Sequence, residues 1–301
     1  LDVLNSPHAQ QIHAAFANII KSQQHLRKVI LNYKSGFRTE LHGIISALAF
    51  QHKSLQEIKI AKCSNSSEFQ ILSYCENLEI LRIFYADQKI LKSLSTSLCK
   101  LSILEINTRQ FDASNLSDVL ERSGPLLQRL KLDSEFEILS QSLLLESLTN
   151  FCPNIIYLYI SSIRFSTQFP KLIQGLQRLK FFTLKWIKVT TEKVGVTKNR
   201  VMRVAKLLPS TLQYLEWKTL RTNSNSHNDV LLHYCNAPLV RLLIEVNYGK
   251  KNFLQTLFEF RSRKRTLIYV YITGSDLDID FENDLKGYMM QLTYDQIVIH
   301  C

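Results

Sequence analysis

Histidine is the side chain that most often carries acid–base or metal chemistry, and this 301-residue chain has eight of them. They form no H-E-x-x-H or other ligand spacing, and the sequence has no P-loop, G-x-G-x-x-G or G-x-S-x-G motif. We therefore expect no catalytic residue, no metal ligand, no cofactor and no enzymatic activity. The histidines are His8, His13, His25, His42, His52, His227, His233 and His300.

A run of alternating acidic side chains near the end of the sequence is a candidate calcium loop. Its members are Asp276, Asp278, Asp280 and Glu282. A calcium-binding EF-hand loop needs Gly at its sixth position and Glu at its twelfth. Counted from Asp276, those positions hold Phe281 and Gly287. Because both requirements fail, the alternation favours an extended segment with one solvated face.

The cysteines show no pairing pattern. They are Cys63, Cys75, Cys99, Cys152, Cys235 and Cys301, and the closest two are twelve residues apart, so no C-x-x-C pair exists. A chain of this length does not need disulfides to fold, which predicts reduced, mostly buried thiols and a cytoplasmic or nuclear location. No run approaches 18 uncharged apolar residues, so we expect no membrane partner.

Charge is distributed unevenly along the sequence, with a net charge of +11. Residues 171–265 hold 19 basic and 5 acidic side chains, whereas residues 266–301 hold 1 and 6. The densest basic stretch contains Lys185, Lys188, Lys193, Lys198, Arg200, Arg203 and Lys206. Nucleic-acid binding through phosphate contacts is one interpretation. A solvated loop and helix face is favoured, because most of these residues precede or lie on a helix.

One apolar pattern, L-x-x-L-x-L, recurs along the whole chain. Its copies are Leu26/Val29/Leu31, Leu55/Ile58/Ile60, Leu78/Leu81/Ile83, Leu101/Leu104/Ile106, Leu127/Leu130/Leu132, Ile155/Leu158/Ile160, Leu179/Phe182/Leu184, Leu212/Leu215/Trp217, Leu239/Leu242/Ile244, Leu267/Val270/Ile272 and a weaker Tyr294/Ile297/Ile299. Their spacing runs from 23 to 33 residues with a mean of 26.8, the period of leucine-rich repeats. The last two apolar positions share one face of a short strand, and the first lies in the turn before it.

Between these strands the apolar spacing becomes helical. The stripes are Ile12/Ala15/Phe16/Ile19/Ile20, Leu41/Ile44/Ala47/Leu48, Leu116/Val119/Leu120 and Val201/Val204/Ala205/Leu208. Parallel strands joined by right-handed helical crossovers stack into a solenoid. The sequence thus predicts an α/β leucine-rich-repeat solenoid of about 11 repeats over residues 1–301, with a curved sheet and helices on its convex side. Leu1 and Val3 fit the strand positions of a preceding repeat, so we expect a chain truncated at its N-terminus.

Several predicted helix ends run into the next strand through a cysteine, as in Cys75-Glu76-Asn77-Leu78, Cys152-Pro153-Asn154-Ile155 and, more loosely, Cys235-Asn236-Ala237-Pro238-Leu239. This pattern resembles the cysteine-containing repeats of F-box/LRR proteins, the substrate receptors of SCF-type ubiquitin ligases. The irregular repeat lengths look most like the fungal members. Two departures stand out: the Asn or Cys expected eight residues after the first Leu is missing from most copies, with Cys63 as an exception, and the F-box itself is not present in this chain.

The strand residues that face away from the helices indicate a binding surface. They are mixed in early repeats and aromatic in later ones, where strand propensity alone is the alternative explanation. Tyr and Arg dominate the energetics of protein interfaces, so we predict a partner-binding concave face. Its residues are Tyr157, Tyr159, Phe181, Lys185, Tyr214, Arg241, Tyr269 and Tyr271.

The resemblance and the surface together predict a protein-binding domain that recognises the substrate of an F-box-type ligase. The partners would be a protein substrate, with an acidic one favoured by the basic region, and SCF-type ligase subunits held through an F-box outside this chain. The alternative is a stand-alone leucine-rich-repeat scaffold or inhibitor with no ubiquitin role. Nucleic-acid binding is the less favoured third reading.

Overall fold

The computed structural model describes residues 7–32, 41, 43–64, 66–85, 90–91, 100–188, 194–220, 227–246, 250–273 and 290–291. The chain divides into two compact units, unit 1 (Leu1–Asn154) and unit 2 (Ile155–Cys301). Each unit repeats a strand followed by a helical connection, so the α/β leucine-rich-repeat solenoid fold is confirmed. The calcium-loop candidate at residues 276–282 lies outside the described residues.

Each unit contains a parallel sheet in which consecutive strands are neighbours. The strands of unit 1 are β1 (Lys28–Asn32), β2 (Glu57–Ala61), β3 (Ile80–Phe84), β4 (Ile103–Thr108) and β5 (Arg129–Ser134). Those of unit 2 are β6 (Tyr157–Arg164), β7 (Phe181–Ile187), β8 (Tyr214–Leu220), β9 (Arg241–Glu245), β10 (Tyr269–Thr273) and β11 (Met290–Gln291).

The helical connections differ in type and length. The α-helices are α1 (Pro7–Ser22), α2 (Ile44–Ala47), α3 (Ser117–Ser123), α4 (Gln141–Phe151), α5 (Phe169–Gly175), α6 (Val194–Leu207), α7 (Asn228–Tyr234) and α8 (Lys250–Lys264). Segments of 3₁₀-helix occupy Leu48–Gln51, Ser67–Tyr74, Ala113–Asn115 and Gly124–Leu126.

The repeated apolar pair forms the core, as the sequence predicts. The first ten copies lie on β1–β10, and equivalent positions face each other across the strands, for example Leu158, Phe182 and Leu215. All of these paired positions are buried except Leu31 on β1, which is half-buried. The first apolar residue of each copy lies in the turn before its strand and is also buried from Leu55 onward. Burying these side chains supplies the main driving force for folding.

One backbone carbonyl in each repeat anchors the next repeat. The carbonyl of Arg27 accepts hydrogen bonds from two consecutive N–H groups, at 2.8 and 2.9 Å, at the start of β2. The carbonyls of Gln56, Glu79 and Ser102 do the same in unit 1, and those of Ile156, Lys180, Gln213 and Val240 in unit 2. This shared geometry fixes the register of neighbouring strands before any side chain is considered.

Small polar side chains reinforce the same turns. The residue directly before the first apolar position is Ser54, Asn77, Asn154 or Thr211 in four of the repeats, and each donates a hydrogen bond of 2.8–3.0 Å to a backbone carbonyl of the preceding repeat. Most copies lack the expected Asn or Cys after the strand. These hydrogen bonds in the turn before the strand partly replace those that it would make. These bonds satisfy turn carbonyls that would otherwise be unpaired.

Repeats of different length use different helical connections. The 23-residue repeat that begins at Leu55 crosses over through the 3₁₀-helix Ser67–Tyr74, whereas the 33-residue repeat that begins at Leu179 contains the long helix α6. A 3₁₀-helix rises about 2.0 Å per residue and an α-helix about 1.5 Å, so the shorter repeat covers the distance with fewer residues. On α6 the predicted core stripe is buried, including Val201 and Val204.

The helix predicted over the first apolar stripe is confirmed as α1. Ile12, Phe16 and Ile19 of that stripe are about half exposed, whereas Ile20 is buried, and so are His13 and Ala17 of the same helix. The face of α1 toward α2 is therefore formed partly by small and polar side chains, which hydrophobic periodicity does not detect.

The eleventh copy of the pattern stays a prediction, because Ile297 and Ile299 lie outside the described residues. Within the described residues, Met290–Gln291 pairs with β10, and Gln291 lies opposite Val270.

The cysteines of the repeat motif occupy one structural position. Cys75, Cys152 and Cys235 each follow the last residue of a 3₁₀- or α-helix and are buried, as is Cys63. Burial raises the pKa of Cys152 to about 12 and that of Cys235 to about 11. The prediction of reduced, buried thiols is confirmed for these four residues, and Cys99 and Cys301 lie outside the described residues.

Gly124 is expected to be intolerant of any side chain. An added Cβ would lie 2.6 Å from the carbonyl oxygen of Phe151 and 2.8 Å from the sulfur of Cys152. Because the nearest atom belongs to the backbone, Gly124→Ala should lower the free energy of unfolding by about 1–3 kcal/mol in urea titrations. The matched control is Gly195→Ala on α6, where nothing lies within 4 Å and helix propensity adds up to about 1 kcal/mol. Stability of the Gly124 variant equal to that of wild type would contradict this packing.

Thiol chemistry should report the cysteine positions directly. At pH 8 the raised pKa values keep Cys152 and Cys235 as neutral, buried thiols, which react slowly. We expect peptide mapping after iodoacetamide treatment to show neither residue alkylated in the native protein and both alkylated in guanidinium. Alkylation of either residue under native conditions, at the rate found in denaturant, would show that its helix end is open.

Candidate functional site

The candidate site lies on the outward face of the unit 2 sheet, defined as the face opposite the buried apolar pairs. Strand register arranges its side chains in rows across β6–β10. The first, called here the aromatic row, is Tyr157, Phe181, Tyr214, Arg241 and Tyr269. The second is Tyr159, Thr183, Glu216, Leu243 and Tyr271. Lys185 and Lys218 lie opposite each other in a third row. The register thus brings all eight predicted site residues onto one face.

Ring contacts organise the aromatic row. The rings of Tyr157 and Phe181 are 6.4 Å apart and tilted by 37°. The guanidinium of Arg241 lies over the ring of Tyr269 at 5.4 Å, a cation–π contact. These four side chains are half-buried, so each is fixed by a neighbour and still presents surface.

Two of the predicted contact residues are not exposed. Tyr159 is 8% accessible and Tyr214 is 3% accessible. Tyr214 and Glu216 lie on the same strand, and the hydroxyl of Tyr214 donates a long hydrogen bond of 3.4 Å to the carboxylate of Glu216. Thr183 and Leu243, in the second row, are also buried. Of the first two rows, a partner can therefore contact the exposed parts of the aromatic row and Tyr271.

Glu216 is the buried polar centre of this face. Its carboxylate is 4% exposed and accepts hydrogen bonds from Thr183 at 3.2 Å and from Tyr214, and it forms an ion pair with Lys185 at 3.1 Å. The ammonium of Lys185 also lies 5.0 Å from the centre of the Tyr159 ring. A buried carboxylate needs such partners because desolvation is otherwise costly. Lys185, predicted as a partner contact, is thus occupied inside the protein.

The remaining charges of the face are nearly balanced. Lys218 pairs with Glu245 at 3.6 Å. Arg241 stands in a row without an acidic residue and forms no ion pair among the described residues. Arg241 is therefore the cation of these three rows that forms no ion pair with a described carboxylate.

The outward face of unit 1 has a different character, which sequence reasoning did not detect. Five of its charged side chains form a zigzag of ion pairs across β1–β5: Lys28 to Glu57 at 2.9 Å, Glu57 to Arg82, Arg82 to Glu105 at 3.1 Å, and Glu105 to Arg129 at 2.7 Å. Each of the two carboxylates pairs with two cations, so these five side chains are bound to one another. Opposite charges at alternating outward positions were visible in the sequence, but the pairing depends on register.

The basic stretch does not form one track. Lys185 lies on β7 in its ion pair, whereas Lys198, Arg203 and Lys206 are exposed on α6. Arg200 donates a hydrogen bond of 2.9 Å to the carbonyl of Phe165, and Lys193 lies outside the described residues. This dispersal agrees with a solvated helix face rather than a continuous phosphate-binding surface.

The described part of the chain shows few features of a metal-binding or acid–base site. Within it, no group of three or more His, Cys, Asp or Glu residues is arranged to hold a metal ion. The pKa of His227 is lowered, mainly by burial and further by Lys188 and Lys198, while Asp229 opposes the shift. The described helices include none that is long and apolar enough to cross a bilayer.

Solved structures share this fold at low sequence identity. A chain in the crystal structure of the yeast Rad7–Elc1 complex is 10% identical with a TM-score of 0.54, and the match covers 94% of this chain and 78% of that one. An internalin from Listeria monocytogenes is 16% identical with a TM-score of 0.52, covering 97% of this chain and 78% of that one. No family model and no curated protein matches the sequence.

Glu105 should be the most sensitive position of the unit 1 ion-pair chain. Its carboxylate is 9% exposed and holds both Arg82 and Arg129. Because Glu105→Ala leaves two largely buried guanidinium groups short of a partner, we expect it to lower the free energy of unfolding by about 3 kcal/mol. The matched control is Glu135→Ala, whose pair with Arg109 is 52% and 70% exposed and should contribute at most about 1 kcal/mol. Equal losses for the two variants would show that the chain of ion pairs does not stabilise the sheet.

Proposed function

We propose that this chain is a protein-binding leucine-rich-repeat domain whose partner site is the outward face of unit 2. The observation that carries the proposal is the aromatic row. Four half-exposed side chains of the interface-forming types Tyr, Phe and Arg lie in register on four of the five strands β6–β10. The rings are held by contacts with each other and with Arg241, so binding would cost little side-chain entropy.

The dimensions of the row favour a macromolecular segment over a metabolite. Five strands spaced about 4.8 Å apart give a row about 19 Å long. Small-molecule sites are usually enclosed pockets, whereas the aromatic row follows the surface of a sheet. A partner that lies across the strands meets Tyr157 and Phe181 at one end and Arg241 and Tyr269 at the other.

The finer proposal is that the domain recognises the substrate of an F-box, SCF-type ubiquitin ligase. It is supported by the cysteine-ended repeats, since Cys75, Cys152 and Cys235 occupy the same buried position after their helices. A structure with the same fold comes from a complex, that of Rad7 with Elc1, which agrees with a role in an assembly. The domain would position its target in the cytoplasm or nucleus for ubiquitin transfer by another subunit, without bond chemistry of its own.

Site-specific crosslinking tests the location of the partner site. With p-benzoylphenylalanine in place of Tyr157, we expect a discrete crosslinked protein in cells that express the full gene product. The matched control carries the same group in place of Tyr74, which is 68% exposed on the 3₁₀-helix Ser67–Tyr74 of unit 1. Identical crosslinks from both positions, or none from Tyr157, would rule out the outward face of unit 2 as the binding site.

The ligase role has its own readout in the same experiment. Affinity capture of the full gene product should recover SCF-type ligase subunits, and the target crosslinked at Tyr157 should carry ubiquitin chains that disappear when the gene is deleted. A crosslinked partner without ligase subunits or ubiquitin would overturn the ligase role and leave a stand-alone scaffold.

A further inference from the structure

We infer that the outward face of unit 2 recognises a single carboxylate in an extended peptide segment with apolar neighbours, and that Arg241 binds this carboxylate. The inference rests on the proposed function and adds the chemistry of the partner. It follows from the distribution of charge on this face, from the geometry around Arg241 and from the length of the aromatic row.

Arg241 differs from the two lysines of this face because it forms no ion pair with a described carboxylate. Lys185 is paired with Glu216 at 3.1 Å and Lys218 with Glu245 at 3.6 Å, so both lysines are neutralised on the protein. Arg241 has Tyr214 and Tyr269 as its strand neighbours and forms no ion pair with a described carboxylate. Among the described residues, the three rows therefore offer one cation without an ion pair, in aromatic surroundings, which complements one negative charge on the partner.

The geometry around Arg241 suits a carboxylate. The guanidinium lies over the ring of Tyr269 at 5.4 Å, which restrains its orientation. A guanidinium stacked on a ring can still use the N–H groups at its edge, and its planar fork matches the two oxygens of a carboxylate. The nearby aromatic rings lower the local exposure to water, which strengthens a charge-assisted hydrogen bond.

The length of the row defines the segment. An extended chain rises about 3.3 Å per residue, so about six residues span the 19 Å of the row. If the acidic residue is bound by Arg241, its apolar neighbours lie over Tyr269 on one side and toward Phe181 and Tyr157 on the other. The inferred partner motif is thus an Asp or Glu with apolar or aromatic residues on both sides, most of them on the side toward Phe181 and Tyr157.

A nucleic acid fits this face less well. Polyanion binding depends on several cations that each neutralise a phosphate. Both lysines of the face are already paired with carboxylates, and stacking of successive bases would need exposed ring faces, whereas Tyr159 and Tyr214 are buried. A peptide with one acidic residue matches the observed charge better.

Peptide display on the purified full chain tests the inference. We expect a random 12-residue library to yield peptides that carry Asp or Glu between apolar residues, and to lose this acidic preference when Arg241→Gln replaces the wild-type protein. For one selected synthetic peptide, Arg241→Gln should weaken binding at least ~10-fold, measured by fluorescence anisotropy. Replacing the peptide's acidic residue by its amide should weaken wild-type binding equally and have no further effect on the variant.

The controls separate charge from folding. Arg203→Gln removes an exposed arginine of α6 and should leave affinity unchanged, and Arg241→Lys, which keeps the charge, should retain part of it. Circular dichroism melting checks that each variant is folded. If Arg241→Gln unfolds the chain, the comparison of acidic and amide peptides on wild type and Arg241→Lys decides the question.

The outcomes distinguish this inference from the proposed function. Peptides that require Tyr157, tested with Tyr157→Ala, but bind equally well with an amide in place of the acid would overturn the role of Arg241 and keep the surface. Failure to select any peptide that requires Tyr157 would count against both. Binding of a fluorescein-labelled 20-nucleotide poly-U, weakened by Arg241→Gln, would replace the peptide with a nucleic acid and overturn the inference.

Discussion

Every feature of this protein depends on the register that one backbone carbonyl per repeat imposes on the next strand. In the described parts of both units, a carbonyl such as that of Arg27 or Lys180 accepts two consecutive N–H groups from the following repeat. Equivalent residues therefore stand side by side, and rows of like position run across each sheet. Inward rows bury the apolar pairs, and outward rows bring together residues that are more than twenty positions apart in sequence. Without strict register, neither the core nor the candidate site would exist.

The outward faces of the two units have the same strand geometry but carry different side-chain interactions. Glu105 in unit 1 and Glu216 in unit 2 are both buried carboxylates that hold their neighbours in place. In unit 1 the ion pairs form a chain across five strands, so these five charged side chains are bound to one another. In unit 2 the carboxylate lies in the second row, and the first row is left aromatic, with Arg241 in no ion pair with a described carboxylate. The half-exposed aromatic side chains beside Arg241 make the unit 2 face the better candidate for a partner site.

The helical connections can vary in length and type because each needs only to span the distance between two strands. The 23-residue repeat from Leu55 uses a 3₁₀-helix and the longest repeat uses α6, while the same buried apolar face is kept. Fixed points remain where elements come close together. The buried cysteines after the helices are one kind, and the tight contact of Gly124 with the end of α4 is another. Tight packing at these points limits the side chains that can replace them.

The sequence by itself determined the repeat fold, the ten main strands, the buried cysteines and the face on which all eight predicted site residues lie. These features follow from local spacing, because an L-x-x-L-x-L unit specifies one turn and one strand face wherever it occurs. Only the tertiary structure decided that Tyr159 and Tyr214 are buried, that Lys185 is paired with Glu216, and that most of the apolar stripe of α1 is exposed. Those outcomes depend on neighbours brought together by register from other repeats. The identity of Arg241 as the cation that forms no ion pair with a described carboxylate is of this second kind, since it is defined by which charges the neighbouring strands place beside it.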